Sequence, residues 1–279
     1  MQLVTKVSPL VLGLIAAVMP ASAQPFTFTT IDPPGSTFTF PFGINPQGDI
    51  VGHYAVGSAV HGFLLKEGTY TAIDVPGAAA TLARRISPQG DIVGIYSAGG
   101  ANHGFLLHEG VFTAIDFPGA MATFAFGINP QGDIVGWYID GGGVNHGFLL
   151  SSGGLTSIDF PGATLTRAFG INPRGDIAGF YVVGGVTHGF LLRKGVFTTI
   201  DPPGSTSTLV LGINPQGDVV GNYVGGGVSH GFVLDHQGTF TNVDPPGATS
   251  AAATGINPGG DIVGFYATGG VTHGFLAQR

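Results

Sequence analysis

The sequence predicts an all-β fold: a six-bladed β-propeller of four-stranded antiparallel blades, its ring closed by an N-terminal outer strand. Three observations predict it. One motif, close to F-T-x-I-D-x-P-G followed by F-G-I-N-P-Q-G-D-I-V-G-x-Y and H-G-F-L-L, recurs along the chain, and its I-D aspartate falls at Asp32, Asp74, Asp116, Asp159, Asp201 and Asp244, in steps of 42 or 43 residues. Steps of ~40–45 residues are those of propeller blades such as WD repeats. Each copy reads as four short apolar runs separated by turn residues, and the two ends of the chain supply complementary parts of one copy.

The elements follow in chain order. Residues 1–23 carry one positive charge (Lys6), an apolar run from Val11 to Met19 and the small-residue end Ala21-Ser22-Ala23. That pattern is an export signal cleaved near Ala23, too short for a membrane-spanning helix of ~20 residues. The propeller is then expected over 24–279 and the product outside the cytoplasm, extracellular or periplasmic. Residues 26–32 form a fourth strand with no first three before it, whereas the last copy ends at Arg279 having supplied only three. Strand 26–32 therefore completes the last blade, which also covers edges that would otherwise invite strand addition.

Within the third copy the four strands are Thr123 to Ile128, Ile134 to Tyr138, His146 to Leu150 and Leu155 to Asp159. Asn129-Pro130-Gln131-Gly132-Asp133 joins the first two, proline presetting φ and glycine taking the left-handed position of a bulged type I turn. Asn129 and Asp133 are turn formers on this reading. The second link is glycine-rich and the third turns through Ser152-Gly153, so all neighbours are antiparallel. An open solenoid is the alternative, but its capping segments are missing.

Composition limits function. Without Lys6 the chain has 8 basic against 16 acidic residues, a formal charge of −8, unsuited to nucleic acid or an anionic membrane surface. No cysteine is present, so neither disulfides nor thiolate chemistry is available. The fifty glycines and nineteen prolines recur at fixed offsets and mark turns, not disorder.

At H-G-F-L-L together with G-I-N-P-Q-G-D-I-V-G-x-Y the chain resembles the bacterial extracellular HAF-repeat proteins. The His-Ala-Phe-like motif stands here with glycine for alanine, as in His61-Gly62-Phe63 and His146-Gly147-Phe148. The resemblance implies a secreted, propeller-like repeat protein and brings no reaction with it.

Antiparallel order places the end of the second strand, the start of the third and the end of the fourth on one rim. Six triplets should therefore meet there: Tyr54, His61 and Asp74; Tyr96, His103 and Asp116; Tyr138, His146 and Asp159; Tyr181, His188 and Asp201; Tyr223, His230 and Asp244; and Tyr266, His273 and Asp32. The expectation is a bracing network in which aspartate holds histidine and a tyrosine hydroxyl caps it, satisfying groups costly to bury unpaired. A metal needs several ligands at about 2.0–2.2 Å, and each blade offers one such histidine, so no metal and no cofactor is expected.

Function should sit where the copies disagree. Arg84-Arg85 replaces the Phe-Gly of other copies, Trp137 is the sole tryptophan with Asp140 nearby, and Arg167 stands where Phe40, Phe124 and Leu209 stand elsewhere. His53 and Asn222 occupy the variable position of V-G-x-Y. With the first strand innermost, Arg84 or Arg85 and Arg167 are expected in the central channel, forming with Trp137 a patch for a carboxylated or otherwise polar glycan. Only Glu67, Glu109, Asp140 and Asp235 lie outside the repeated acids, too few for a two-carboxylate glycosidase, and no Ser/His/Asp set or P-loop occurs. The reading is a monomeric, non-enzymatic scaffold for a polysaccharide or an envelope protein. A polysaccharide lyase or hydrolase at the channel is the alternative, with His53 and Arg84 or Arg167 as base and cation.

Overall fold

The computed structural model describes residues 26–279; the export signal expected over 1–23 lies outside them. Among the described residues there is no helix, only 24 strands, numbered β1 to β24 in chain order. The third copy shows the pattern: β10 (Ala122–Ile128), β11 (Ile134–Ile139), β12 (Asn145–Ser151) and β13 (Gly154–Ile158) pair in sequence, all antiparallel.

Hydrogen bonding groups the strands into four four-stranded sheets and one eight-stranded sheet. In the eight-stranded sheet a single parallel bridge, Val60 to Ala80, joins two antiparallel four-stranded units. One four-stranded sheet combines the two chain ends: β1 (Thr27–Ile31) pairs with β24 (Val271–Gln278), Thr27 opposite Gln278 and Ile31 opposite Gly274. Behind β24 follow β23 (Ile262–Thr268) and β22 (Ser250–Ile256).

The turn chemistry acts as its residues dictate. Asn129 Oδ1 accepts the backbone N–H groups of Gln131 and Asp133, and its amide donates to the Asp133 carboxylate at 2.9 Å. Gly132 supplies the positive φ, 84°, that the turn requires. Each unit hangs on the phenylalanine of its H-G-F motif, with Phe63, Phe105, Phe148, Phe190, Phe232 and Phe275 all fully buried. The glycine of V-G-x-Y makes that possible. A Cβ at Gly136 would collide with the Phe124 carbonyl and the Phe148 ring. The apolar clusters draw on adjacent units, as where Val93 packs with Ala125, Ile134 and Phe148. The core therefore lies between sheets.

The first strands of the units line one axis. Here β2 (Phe38–Ile44) packs against β6 (Ala80–Ile86) on one side and β22 on the other, while β14 (Leu165–Ile171) lies between β10 and β18 (Ser207–Ile213). Each carries a bulge just before its end, in β6 between Ala83 and Arg85. A bulge leaves one residue unpaired and re-aims its side chain. In β6 that residue is Arg84.

Candidate site at the axial mouth

The bulge gives Arg84 and Arg85 separate surroundings although they are neighbours in sequence. Arg84 lies level with Phe42 and Phe126 of the flanking units. Its guanidinium sits 4.1 Å from the Phe42 ring centroid and 4.9 Å from that of Phe126, a double cation–π cage. Its Nε is buried without a hydrogen-bond partner. Among the described residues no carboxylate or carbonyl accepts from the guanidinium, and burial alone lowers its pKa, to about 9. At neutral pH it remains a cation with no counter-ion.

Arg85 is fully engaged. It donates to the carbonyls of Phe42 at 2.9 Å and Leu211 at 2.8 Å, with Thr254 at 3.4 Å. Its head thus ties β6 to β2, β18 and β22 across the axis, in space left by the side-chain-free Gly212 and Gly255. Burial lowers its pKa to about 10. Beyond it, on the side of the Asn-Pro turns, is a narrow cavity of about 90 Å³ touched by Asn45, Asn129, Asn172 and Arg85. Arg85 touches that cavity and Arg84 does not.

The expected patch of Trp137 and Arg167 is present but is not an open platform. Trp137 is 8 % exposed. Phe124 stacks on it at 3.7 Å and the Arg167 guanidinium lies 3.8 Å from its centroid; two groups this close cannot share one face. Neither face is left for a sugar, which corrects the expectation. Arg167 itself donates through Nε and Nη2 to Asn145 Oδ1, at 3.2 and 2.8 Å. Trp137 Nε1, however, is buried and unpartnered.

His53 is also 8 % exposed with Nδ1 unpartnered. It stacks near Phe40 at 5.1 Å and Phe42 at 5.7 Å. Burial first, and the Arg84 charge second, hold its pKa well below the ordinary value, so it is neutral. Asn222 is occupied, donating to Ser229 Oγ at 3.1 Å. Three buried orphan atoms thus belong to residues that break the repeat, two of them, on Arg84 and His53, packed on the same Phe42 ring.

Asp140 is not beside the channel. Its Oδ1 accepts the N–H groups of Gly142 and Val144, and its other oxygen lies 3.5 Å from His146 Nε2. The Val144 hydrogen bond above all holds its carboxyl below the ordinary value. Burial alone would lower His146, but Asp159 and Asp140 outweigh it and raise that pKa.

The six histidine–aspartate pairs form on the rim, with Nδ1–carboxylate distances between 2.7 and 3.0 Å, including His273 to Asp32 across the chain ends. The tyrosines act differently from the expected hydroxyl cap. Their rings pack against the histidines, as for Tyr96 and His103 at 5.1 Å, while their hydroxyls share hydrogen bonds with the fourth strand, as between Tyr138 and Ser157 and between Tyr181 and Thr199, both at 2.8 Å. Cross-strand pairing sets ring over ring, so the hydroxyl overshoots the imidazole. Among the described residues no group of three or more His, Asp or Glu is placed to hold a metal ion, and no helix is long and apolar enough to cross a membrane.

No family model matches the chain, and no curated protein matches it. Solved structures do. A virginiamycin B lyase from Staphylococcus aureus is 16 % identical over 91 % of this chain and 100 % of its own, with a TM-score of 0.51. TolB from Acinetobacter baumannii is 14 % identical over 86 % of this chain and 63 % of its own, with a TM-score of 0.59. The Aleuria aurantia lectin, solved with Fucα1-6GlcNAc, is 12 % identical over 88 % and 96 %, with a TM-score of 0.53. At such identities the likeness speaks for the fold alone, and that fold is an all-β, propeller-like arrangement of four-stranded antiparallel sheets.

Proposed function

We propose that the chain is an exported six-bladed propeller of the HAF-repeat kind, extracellular or periplasmic, that binds glycans at the mouth of its axis. The eight-stranded sheet counts as two blades touching at one bridge, and β1 completes the blade of β22 to β24; the pairing of Thr27 with Gln278 supports this. One observation carries the binding role. Two buried polar atoms without partners among the described residues, His53 Nδ1 and Arg84 Nε, lie against the same Phe42 ring, and both belong to residues that depart from the repeat. Buried polar atoms cost stability when left unpartnered; a ligand bearing hydroxyls and an acid would satisfy them. The lectin among the similar structures lends the fold a precedent for holding a saccharide.

A second reading, a polysaccharide lyase, is favoured by a neutral imidazole near a bare guanidinium, the base and cation that proton abstraction beside a carboxylate requires. A glycan array with the purified protein tests binding. A screen on uronic-acid polymers, following unsaturated product in the ultraviolet, tests catalysis. Binding without product supports the scaffold, and product formation replaces it with the enzyme.

A further inference from the structure

We infer that Arg84 is a receptor for one carboxylate, carried on an acidic sugar that enters from the mouth opposite the Asn-Pro turns. The inference deepens the binding reading above and rests on it. It starts from an imbalance: Arg84 and Arg85 place two cations on the axis of a chain whose formal charge is −7, and neither meets a carboxylate. Arg85 spends its donors on carbonyls. Arg84 spends none.

Shape narrows the anion. Phe42 and Phe126 flank the guanidinium at 4.1 and 4.9 Å, in the two units on either side of it, so a ligand would have to meet its N–H edge. A carboxylate is planar and pairs with that fork through two parallel hydrogen bonds, lying in the slot between the rings. A tetrahedral sulfate or phosphate would press oxygens against the aromatic faces. His53 Nδ1 adds a polar atom for a neighbouring hydroxyl, and Arg85, not Arg84, touches the cavity beside the Asn-Pro turns.

The position also argues against drift. Phe42, Phe126, Phe169, Leu211 and Thr254 hold the equivalent place in the other copies, and an apolar residue there would leave no orphan donor. A residue that lowers stability where a better packer is at hand is the mark of a binding group.

The test uses Trp137, the sole tryptophan, as a built-in reporter. The purified protein is titrated with galacturonate, acetate, sulfate and galactose by fluorescence and calorimetry, alongside R84L, R84F and R84K. The expected result is saturable binding of galacturonate with a Kd of about 1 mM or tighter. R84L and R84F should weaken it at least about tenfold while melting no lower than the parent, and R84K should weaken it too because the planar fork is lost. Acetate binding as tightly as galacturonate would refute the sugar while keeping the carboxylate. Sulfate binding as tightly as galacturonate would overturn the planar-anion argument. Galactose bound equally well, or glycan-array binding that survives in R84L, would overturn the role of Arg84 and leave the binding propeller standing. A blank array together with blank titrations would remove both.

Discussion

Replacing Arg85 with glycine puts back the residue found at this place in the other five copies, Gly43, Gly127, Gly170, Gly212 and Gly255. If Arg85 were a tolerated departure, R85G should be neutral or stabilising. The geometry says otherwise. Two short hydrogen bonds from a charged donor, to Phe42 O at 2.9 Å and Leu211 O at 2.8 Å, are worth about 1.5–3 kcal/mol each. Against them stands the cost of burying the guanidinium: a pKa lowered from 12.5 to about 10 corresponds to about 3 kcal/mol. The difference, with the orphaned carbonyls partly rehydrated in the variant, leaves a net loss of about 2 kcal/mol. For a domain of this size that is a fall in Tm of roughly 4–8 °C. R85M keeps the bulk of the side chain and loses only the donors, so it should fall by a similar amount. Urea and thermal denaturation of both variants decide the matter, and an R85G protein as stable as its parent would refute the tie across the axis.

Three further outcomes follow from the same geometry. W137A removes the ring held between Phe124 and Arg167 and should cost about 3–5 kcal/mol in urea titrations, whereas an exposed sugar platform would lose binding with little change in stability. G136A drives a methyl group toward the Phe124 carbonyl and Phe148 ring and should lower stability by at least about 1–3 kcal/mol, read as a drop in Tm or in soluble yield. His53, with its pKa held well below 6.5, stays neutral in the fold while the unfolded chain takes up a proton. Its stabilising contribution is therefore full above pH 6.5 and falls away as the pH drops below it. H53F should flatten that part of the Tm profile between pH 7 and pH 5, and an unchanged profile would refute the buried neutral imidazole.

How much of this was legible in sequence follows from what repeats. Strand order, the Asn-Pro-Gln-Gly-Asp turns and the histidine–aspartate pairs were readable because each copy states the same need, and alternation along a strand fixes which side chains share a face. The partner of Asp32 could be assigned to His273, 241 residues away, by the same register. What could not be read lies at the bulge. Arg84 and Arg85 are adjacent letters, and only the register shift between Ala83 and Arg85 shows that one is caged by Phe42 and Phe126 while the other reaches β18 and β22. The glycine after Phe42 and Phe126 was the available signal, since glycine inside a strand often marks a bulge. Trp137 misled because a lone aromatic at a variable position says nothing of what covers it; Arg167, thirty residues on, takes one of its faces. Asp140 stood close to Trp137 in sequence, yet it opens the turn after β11, at the rim, where it meets His146.

The receptor role of Arg84 is tested most directly by one paired melting experiment, the protein and R84L, each with and without saturating galacturonate. The parent should gain stability with ligand, as any molecule binding only the folded state confers, while R84L starts no lower and gains nothing. An R84L protein that melts well below the parent and is still stabilised by galacturonate would contradict it, making Arg84 a structural residue and placing the acid elsewhere.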